Sequence, residues 1–255
     1  MDDLEDMFGG GEDEVVESRP VDSGVLAFHT GTEEALFMFV KNNSTMGDTL
    51  AVLRAIDEFC YKRHWMMHIG DKKLSFLYDA IDTMKSLHCN EAKRSLVELG
   101  SYCGYSAISI ASRLEAGRDM LYSVENNEQC CGWTQRLVDY AGVSDRVTVI
   151  RNQAGNCEQW KECLQTTTIH LLFIDHDKRQ YLSDLKTIEA AGLLSTNAVV
   201  VADNVVMFGL TEYFAYVRDP SGPFKSSQLF ESTIEYATTD KERENIDGIE
   251  VSIHR

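Results

Sequence analysis

Positive charge is what this sequence has least of. Against 41 Asp and Glu stand only 24 Lys and Arg, a formal net charge of −17. That balance excludes duplex nucleic acid and anionic membrane as expected partners, because both reward clustered basic side chains. No apolar stretch reaches the roughly 18 residues needed to span a bilayer. The first residues are acidic and carry neither a basic nor an apolar region, so no signal peptide is expected. The seven cysteines have no metal-binding spacing; Cys130 and Cys131 are adjacent, and Cys103 lies beside glycines. They read as reduced thiols of a cytoplasmic protein. A chain of 255 residues makes a core that needs no disulfides.

The charge is unevenly spread. Residues 1–24 hold nine acids and one base, with Gly9-Gly10-Gly11 among them. Such a segment cannot bury enough surface to offset its ordering, so a disordered acidic tail is expected there, followed by one domain over 25–255. Helical spacing appears over Thr32–Asn42, Asp48–Arg63 and Lys73–Leu87, with Asp48 or Thr49 as a cap for the second helix. Strands and helices then alternate: strands at Ser95–Leu99, Met120–Glu125, Arg146–Ile150, 169–174 and 198–203, and helices at Tyr105–Leu114, Glu128–Tyr140, Cys157–Leu164, Leu182–Leu194 and Thr211–Val217. Gln228–Tyr236 and Gly248–His254 alternate like an antiparallel pair. The pattern predicts an α/β fold with a doubly wound, mostly parallel sheet.

Two apolar runs end abruptly in oxygen ligands. One is His170–Ile174 followed by Asp175, His176, Asp177 and Lys178; the other is Ala198–Ala202 followed by Asp203 and Asn204. In an open α/β sheet, ligands bind beyond the carboxyl ends of the strands. Asp175, Asp203 and Asn204 are therefore expected side by side at one rim, where three oxygens suit Mg²⁺. Mg²⁺ takes six ligands, so three positions remain for substrate oxygens and water. Lys178, three residues past Asp175, is placed to reach the same substrate oxygen. A second site is read from Glu98-Leu99-Gly100-Ser101-Tyr102-Cys103-Gly104, a strand, a glycine turn and a helix start. Its glycine spacing is not the dinucleotide fingerprint G-x-G-x-x-G, and alone it is also compatible with a plain tight turn. Glu125 ends the next strand, where an acid accepts bonds from ribose hydroxyls. Together they fit an adenosine ligand without phosphates, the form of an S-adenosylmethionine site.

Over roughly residues 60–255 the chain resembles the catechol O-methyltransferase family. The resemblance runs through Trp65–Asp71, Glu98–Ser106, Asp175-His176 with Lys178, Ala202–Val205, Phe214–Arg218, Ile234–Tyr236 and Asp247–Glu250. It implies a Rossmann-like class I methyltransferase: seven strands, an antiparallel C-terminal strand, and N-terminal helices covering the cofactor. It implies Mg²⁺ on Asp175, Asp203 and Asn204, with Lys178 as the base. Trp65, Lys178, Asn204, Phe208 and Glu235 would line the substrate, a small-molecule catechol. Met67, Ile69, Glu98, Gly100, Tyr102, Ser106, Glu125, Asn126, Gly155, Asp175 and His176 would line S-adenosylmethionine. By analogy the chain is expected to be a monomer.

Three positions depart from the family. Asp177 replaces a Trp, Phe208 replaces a Pro, and Asn152–Asn156 stands in place of a Gly-Ala-Ser-Gln run. Asp177 suggests a preference for cationic catecholamines. Two alternatives to a catechol enzyme stay open: the same chemistry on a caffeoyl or flavonoid diol, and a catalytically silent binding protein.

Overall fold

The strands carry apolar side chains on both faces, and each face feeds its own core. In the strand over 169–174, Leu171 and Phe173 join one core and Leu172 and Ile174 the other, and all four are fully buried. Each such side chain contributes roughly 1.5–3 kcal/mol by leaving water. The computed structural model describes residues 31–255. The tail expected over residues 1–24 lies outside the described residues.

The helices are α1 (Thr32–Asn43), α2 (Thr49–Lys62), α3 (Gly70–Leu87), α4 (Tyr105–Ser112), α5 (Glu128–Ala141), α6 (Cys157–Trp160), α7 (Tyr181–Ala190), α8 (Thr211–Val217) and α9 (Asp240–Arg243). The strands are β1 (Arg94–Leu99), β2 (Asp119–Glu125), β3 (Val147–Arg151), β4 (Ile169–Ile174), β5 (Leu194–Ala202), β6 (Phe224–Thr233) and β7 (Ile246–His254). They form one sheet in the order β3-β2-β1-β4-β5-β7-β6, with β7 antiparallel to both neighbours. The chain order reverses between β1 and β4, the switch point where such sheets bind ligands. Helices α1 to α5 share a core on one face; α6, α7 and α8 pack on the other.

Asp48 caps α2, accepting the Ala51 N–H at 3.0 Å, while the Thr49 hydroxyl donates instead to Ala141 O at 2.9 Å. Several element limits differ from the sequence expectation; β5, for example, begins at Leu194 and β6 at Phe224. Helix α3 begins at Gly70. Helix α7 stops at Ala190 because Gly192, at φ 67°, turns the chain out of the helix and into β5. Strand β6 ends at Thr233, since Tyr236 takes φ 55° and leaves the extended region. All seven cysteines are free thiols. No helix among the described residues is long and apolar enough to cross a membrane.

Candidate active site

Parallel register brings the strand ends together. Leu99 pairs with Ile174, and Ile174 with Ala202, so Gly100, Asp175 and Asp203 are the next residues on three adjacent strands. Backbone bonds fix the row: Asp175 N–H donates to Leu99 O at 2.9 Å and Asp203 N–H to Ile174 O at 3.1 Å. Gly100 sits at φ 93°, and a Cβ there would lie 2.4 Å from Asp175 O. Only glycine permits both the angle and the approach.

Lys178 Nζ donates to Asp175 Oδ1 at 2.7 Å and to the Tyr181 hydroxyl at 2.6 Å. The Tyr181 hydroxyl donates to Asp203 O at 3.2 Å, which ties the ends of β4 and β5 into one network. The same ammonium lies 5.8 Å from the Phe208 ring centroid, so Phe208 stands over the lysine at the rim. On the far side of Asp203, buried Lys73 reaches up from α3. Its ammonium donates to Asp203 Oδ1 at 2.6 Å and Asp247 Oδ2 at 2.9 Å and pairs with Glu235 Oε1. Asn204, at φ 55°, donates through Nδ2 to Glu235 Oε1 at 2.8 Å and Asp247 Oδ2 at 2.6 Å.

Burial, with Asp175 and Glu235 alongside, raises the Asp203 carboxyl above the usual range even against the pull of Lys73. Burial acts against ionisation of Asp247 too, but Lys73 and its hydrogen-bond donors reverse the effect and hold it low. Burial would likewise depress Lys73, and the three carboxylates raise it instead.

The donor set suits a hard cation. Asp203 Oδ2 is buried with no partner, and Asn204, its amide nitrogen spent as a donor, keeps Oδ1 for another use. Among the described residues, Asp203, Glu235 and Asp247 have oxygens close enough to share an ion, but Lys73 already sits on one oxygen of each. Lys73 thus occupies the shared face of these three acids, and Asp203 Oδ2 is left as a buried carboxylate oxygen without a hydrogen-bond partner.

A second cluster, His88, Glu91 and His170, lies at the opposite end of the strands. There Ser95 N–H donates to His170 Nδ1 at 3.1 Å, which puts the imidazole proton on Nε2 and removes the lone pair a metal would need.

The glycine turn forms the other half of the cleft. Glu125 Oε2 accepts the Ser101 and Tyr102 N–H groups at 3.1 and 3.2 Å, and Oε1 accepts the Asn127 N–H at 2.8 Å. Glu98 is fully buried and accepts from the Ser123 hydroxyl through Oε2, and its Oε1 has no partner. Burial pushes its carboxyl up to about 7. His176 Nε2 pairs with Asp184 Oδ2 at 2.8 Å, its ring stacks on Tyr181, and its buried Nδ1 is unpartnered. Gly155 packs against the same Asp184, where a Cβ would lie 2.8 Å from Oδ1; Asn126 is exposed beside Glu125. Glu33 of α1 accepts from the Tyr102 hydroxyl at 3.3 Å, so the N-terminal helices do cover the turn.

Trp65 and Met67 are half-buried, and Ile69 is buried, on the segment leading into α3. That segment abuts Glu235, because a Cβ on Gly70 would lie 3.1 Å from the Glu235 side chain. Contacts thus join Asp175, Lys178, Asp203, Asn204, Phe208 and Glu235 at the ends of β4 and β5, and Ser101 and Tyr102 to Glu125 at the neighbouring turn. Asp177 is turned differently from the expectation: it caps the turn at 178–180 and holds Arg179 in a paired contact at 2.7–3.2 Å. Its charge is already matched, which removes the reason for it to select a cationic substrate. Sequence reasoning missed Lys73, Asp247, Tyr181 and Asp184. Lys73 had a signal, since it shares the buried register of α3 with Leu77, Ala80 and Met84.

Comparison with known proteins agrees. A family profile described as a methyltransferase domain matches residues 97–205. The chain is 34% identical over 224 residues to catechol O-methyltransferase B of Danio rerio, covering 86% of this chain and 78% of that protein. It is 32% identical over 231 residues to catechol O-methyltransferase of Bos taurus, covering 90% and 79%. Among solved structures, the O-methyltransferase from Bacillus cereus in complex with SAH has the same fold, with a TM-score of 0.54 at 17% identity, covering 85% of this chain and all of that one. The chain belongs to the catechol O-methyltransferase family and is an S-adenosylmethionine-dependent O-methyltransferase.

Proposed function

We propose that the methyl acceptor is one hydroxyl of a vicinal aromatic diol of the catechol class, seated with Mg²⁺ on Asp175, Asp203 and Asn204. The observation that carries this reading is the orphaned Asp203 Oδ2 beside the Asp175–Lys178–Tyr181 chain. The ion would supply two things when bound: orientation of the diol and a lower hydroxyl pKa. Lys178, once its ammonium has given up a proton, accepts the proton of the reacting hydroxyl. The freed oxygen then takes the methyl carbon as the carbon–sulfur bond breaks, leaving an O-methyl product and S-adenosylhomocysteine. Glu235 accepts from the second hydroxyl, and Trp65 and Phe208 flank the ring. On the donor side, Glu125 and Asn126 serve the ribose. Met67, Ile69, Glu98, Gly100, Tyr102 and Ser106 enclose the methionine portion, and Gly155 and His176 close the far end. Positioning of two bound reactants can supply as much as roughly 7–11 kcal/mol of barrier reduction, and the base about 10²–10⁴ in rate.

The test is incubation with S-adenosylmethionine and catechol, caffeic acid or phenol, with Mg²⁺ or with chelator, read by mass spectrometry. Methylated diol with Mg²⁺ alone, and no methylated phenol, is expected. Methylation that survives chelation, or no product from any diol, would overturn the reading.

A further inference from the structure

Lys73 has no part in the transfer derived above, yet it is buried and paired with three acids. Its side chain is 1% exposed, and its ammonium contacts one oxygen from each of three buried carboxylates: Asp203, Glu235 and Asp247. Burying a lysine costs several kcal/mol unless partners compensate, so a bare structural role would be served as well by an apolar side chain. The contacts are also selective by atom. Lys73 takes Oδ1 of Asp203 and leaves Oδ2 without a partner; it takes Oε1 of Glu235, the same oxygen that Asn204 holds. Asn204 N–H adds a second donor to Asp203 Oδ1 at 2.8 Å. Asp203 and Glu235 are thus each fastened through one oxygen, and Asp203 Oδ2 stays without a partner, whereas both oxygens of Asp247 are engaged, Oδ1 by the Met207 N–H at 3.1 Å.

We infer that Lys73 is a positioning residue: an internal counter-cation that fixes the rotation of Asp203 and Glu235, so that a divalent ion is held on the outer side of Asp203 and the diol finds Glu235 already oriented. This rests on the proposed diol seat. Without Lys73, three acids whose oxygens lie within 4.8 Å of one another repel, and Asp203 and Glu235 keep only single Asn204 contacts against that repulsion. Lys178 and the glycine turn do not touch Lys73, so the donor half of the cleft keeps its shape.

The experiment compares wild type, Lys73→Met and the milder Lys73→Gln. Mn²⁺ dissociation constants are read by electron paramagnetic resonance, S-adenosylhomocysteine affinity by calorimetry, and kcat and KM with catechol. Groups that orient metal ligands are typically worth about 10–100-fold in metal affinity. Lys73→Met is expected to weaken Mn²⁺ by that factor and to raise KM for catechol. Lys73→Gln should fall between, and S-adenosylhomocysteine affinity should hold in both. Unchanged Mn²⁺ affinity in Lys73→Met, whatever its melting temperature, overturns the inference alone. Loss of S-adenosylhomocysteine binding in both variants assigns Lys73 to folding and also overturns it. A wild type that binds no Mn²⁺ takes the diol seat down with it. A wild type that binds Mn²⁺ but methylates no diol defeats only the substrate reading, and the Mn²⁺ comparison still decides the role of Lys73.

Discussion

Gly100→Ala is the sharpest single perturbation, because one methyl group strains the glycine turn and strikes the end of β4, where the proposed metal seat begins, together. At φ 93° an L-residue is strained, by roughly 1–2 kcal/mol if the cost matches that of the left-handed helical region. The new Cβ would also lie 2.4 Å from Asp175 O and 2.9 Å from its carbonyl carbon, closer than any real contact, and both are backbone atoms that cannot swing aside. Relief requires the end of β4 to move, and overpacking of this kind typically costs 1–3 kcal/mol. The two terms give a loss of about 2–5 kcal/mol in urea unfolding. The displaced residue is Asp175, which carries Lys178 through a 2.7 Å bond, so the reacting groups shift too. A misplacement near 1 Å costs about 10²-fold in rate. Steady-state kinetics on the folded fraction should show kcat/KM down by about that factor. A variant as stable and as active as wild type would refute the claim that β1 and β4 form one rigid floor.

Lys178→Met should lower kcat/KM for catechol by about 10²–10⁴ while S-adenosylhomocysteine still binds by calorimetry; a loss under tenfold would remove Lys178 as the base. His68 should shape acid stability: burial holds its imidazole pKa down at about 3 in the folded chain, against 6.5 when exposed. A base depressed in this way contributes stability that is present above pH 6.5 and lost as pH falls toward 3. At about 1.4 kcal/mol per unit, wild type gives up about 3 kcal/mol between pH 6.5 and 4. Urea unfolding at stepped pH should show that slope flattened in His68→Asn; parallel slopes would contradict it. Asp177→Asn should leave the ratio of kcat/KM for dopamine to that for dihydroxybenzoate unchanged, because Arg179 already holds the carboxylate; a marked fall in the ratio would restore a role in selecting cationic substrates.

The inner strands were legible because a strand buried on both faces is a continuous apolar run with a polar stop, as at Ile174-Asp175 and Ala202-Asp203. Their register at one rim followed from parallel pairing. Less legible were features that depend on partners far along the chain. Lys73 meets Asp203 and Asp247 from 130 and 174 residues away. Its position in a buried helical row said only that its charge must be satisfied somewhere. Asp177 differs for the opposite reason: its neighbours in sequence lead into the cleft, but its own contact is local, with Arg179 two residues on. The end of β6 was unreadable because Glu235 is held by Lys73 and Asn204 rather than by its own alternation.

In the proposed seat a divalent ion holds two adjacent hydroxyls on Asp175, Asp203 and Asn204. Calorimetric titration of catechol, and of phenol, into the chain loaded with S-adenosylhomocysteine tests it directly, with Mg²⁺ present or removed. Catechol is expected to bind only when Mg²⁺ is present, and phenol in neither case. Equal catechol affinity with and without Mg²⁺ would contradict it.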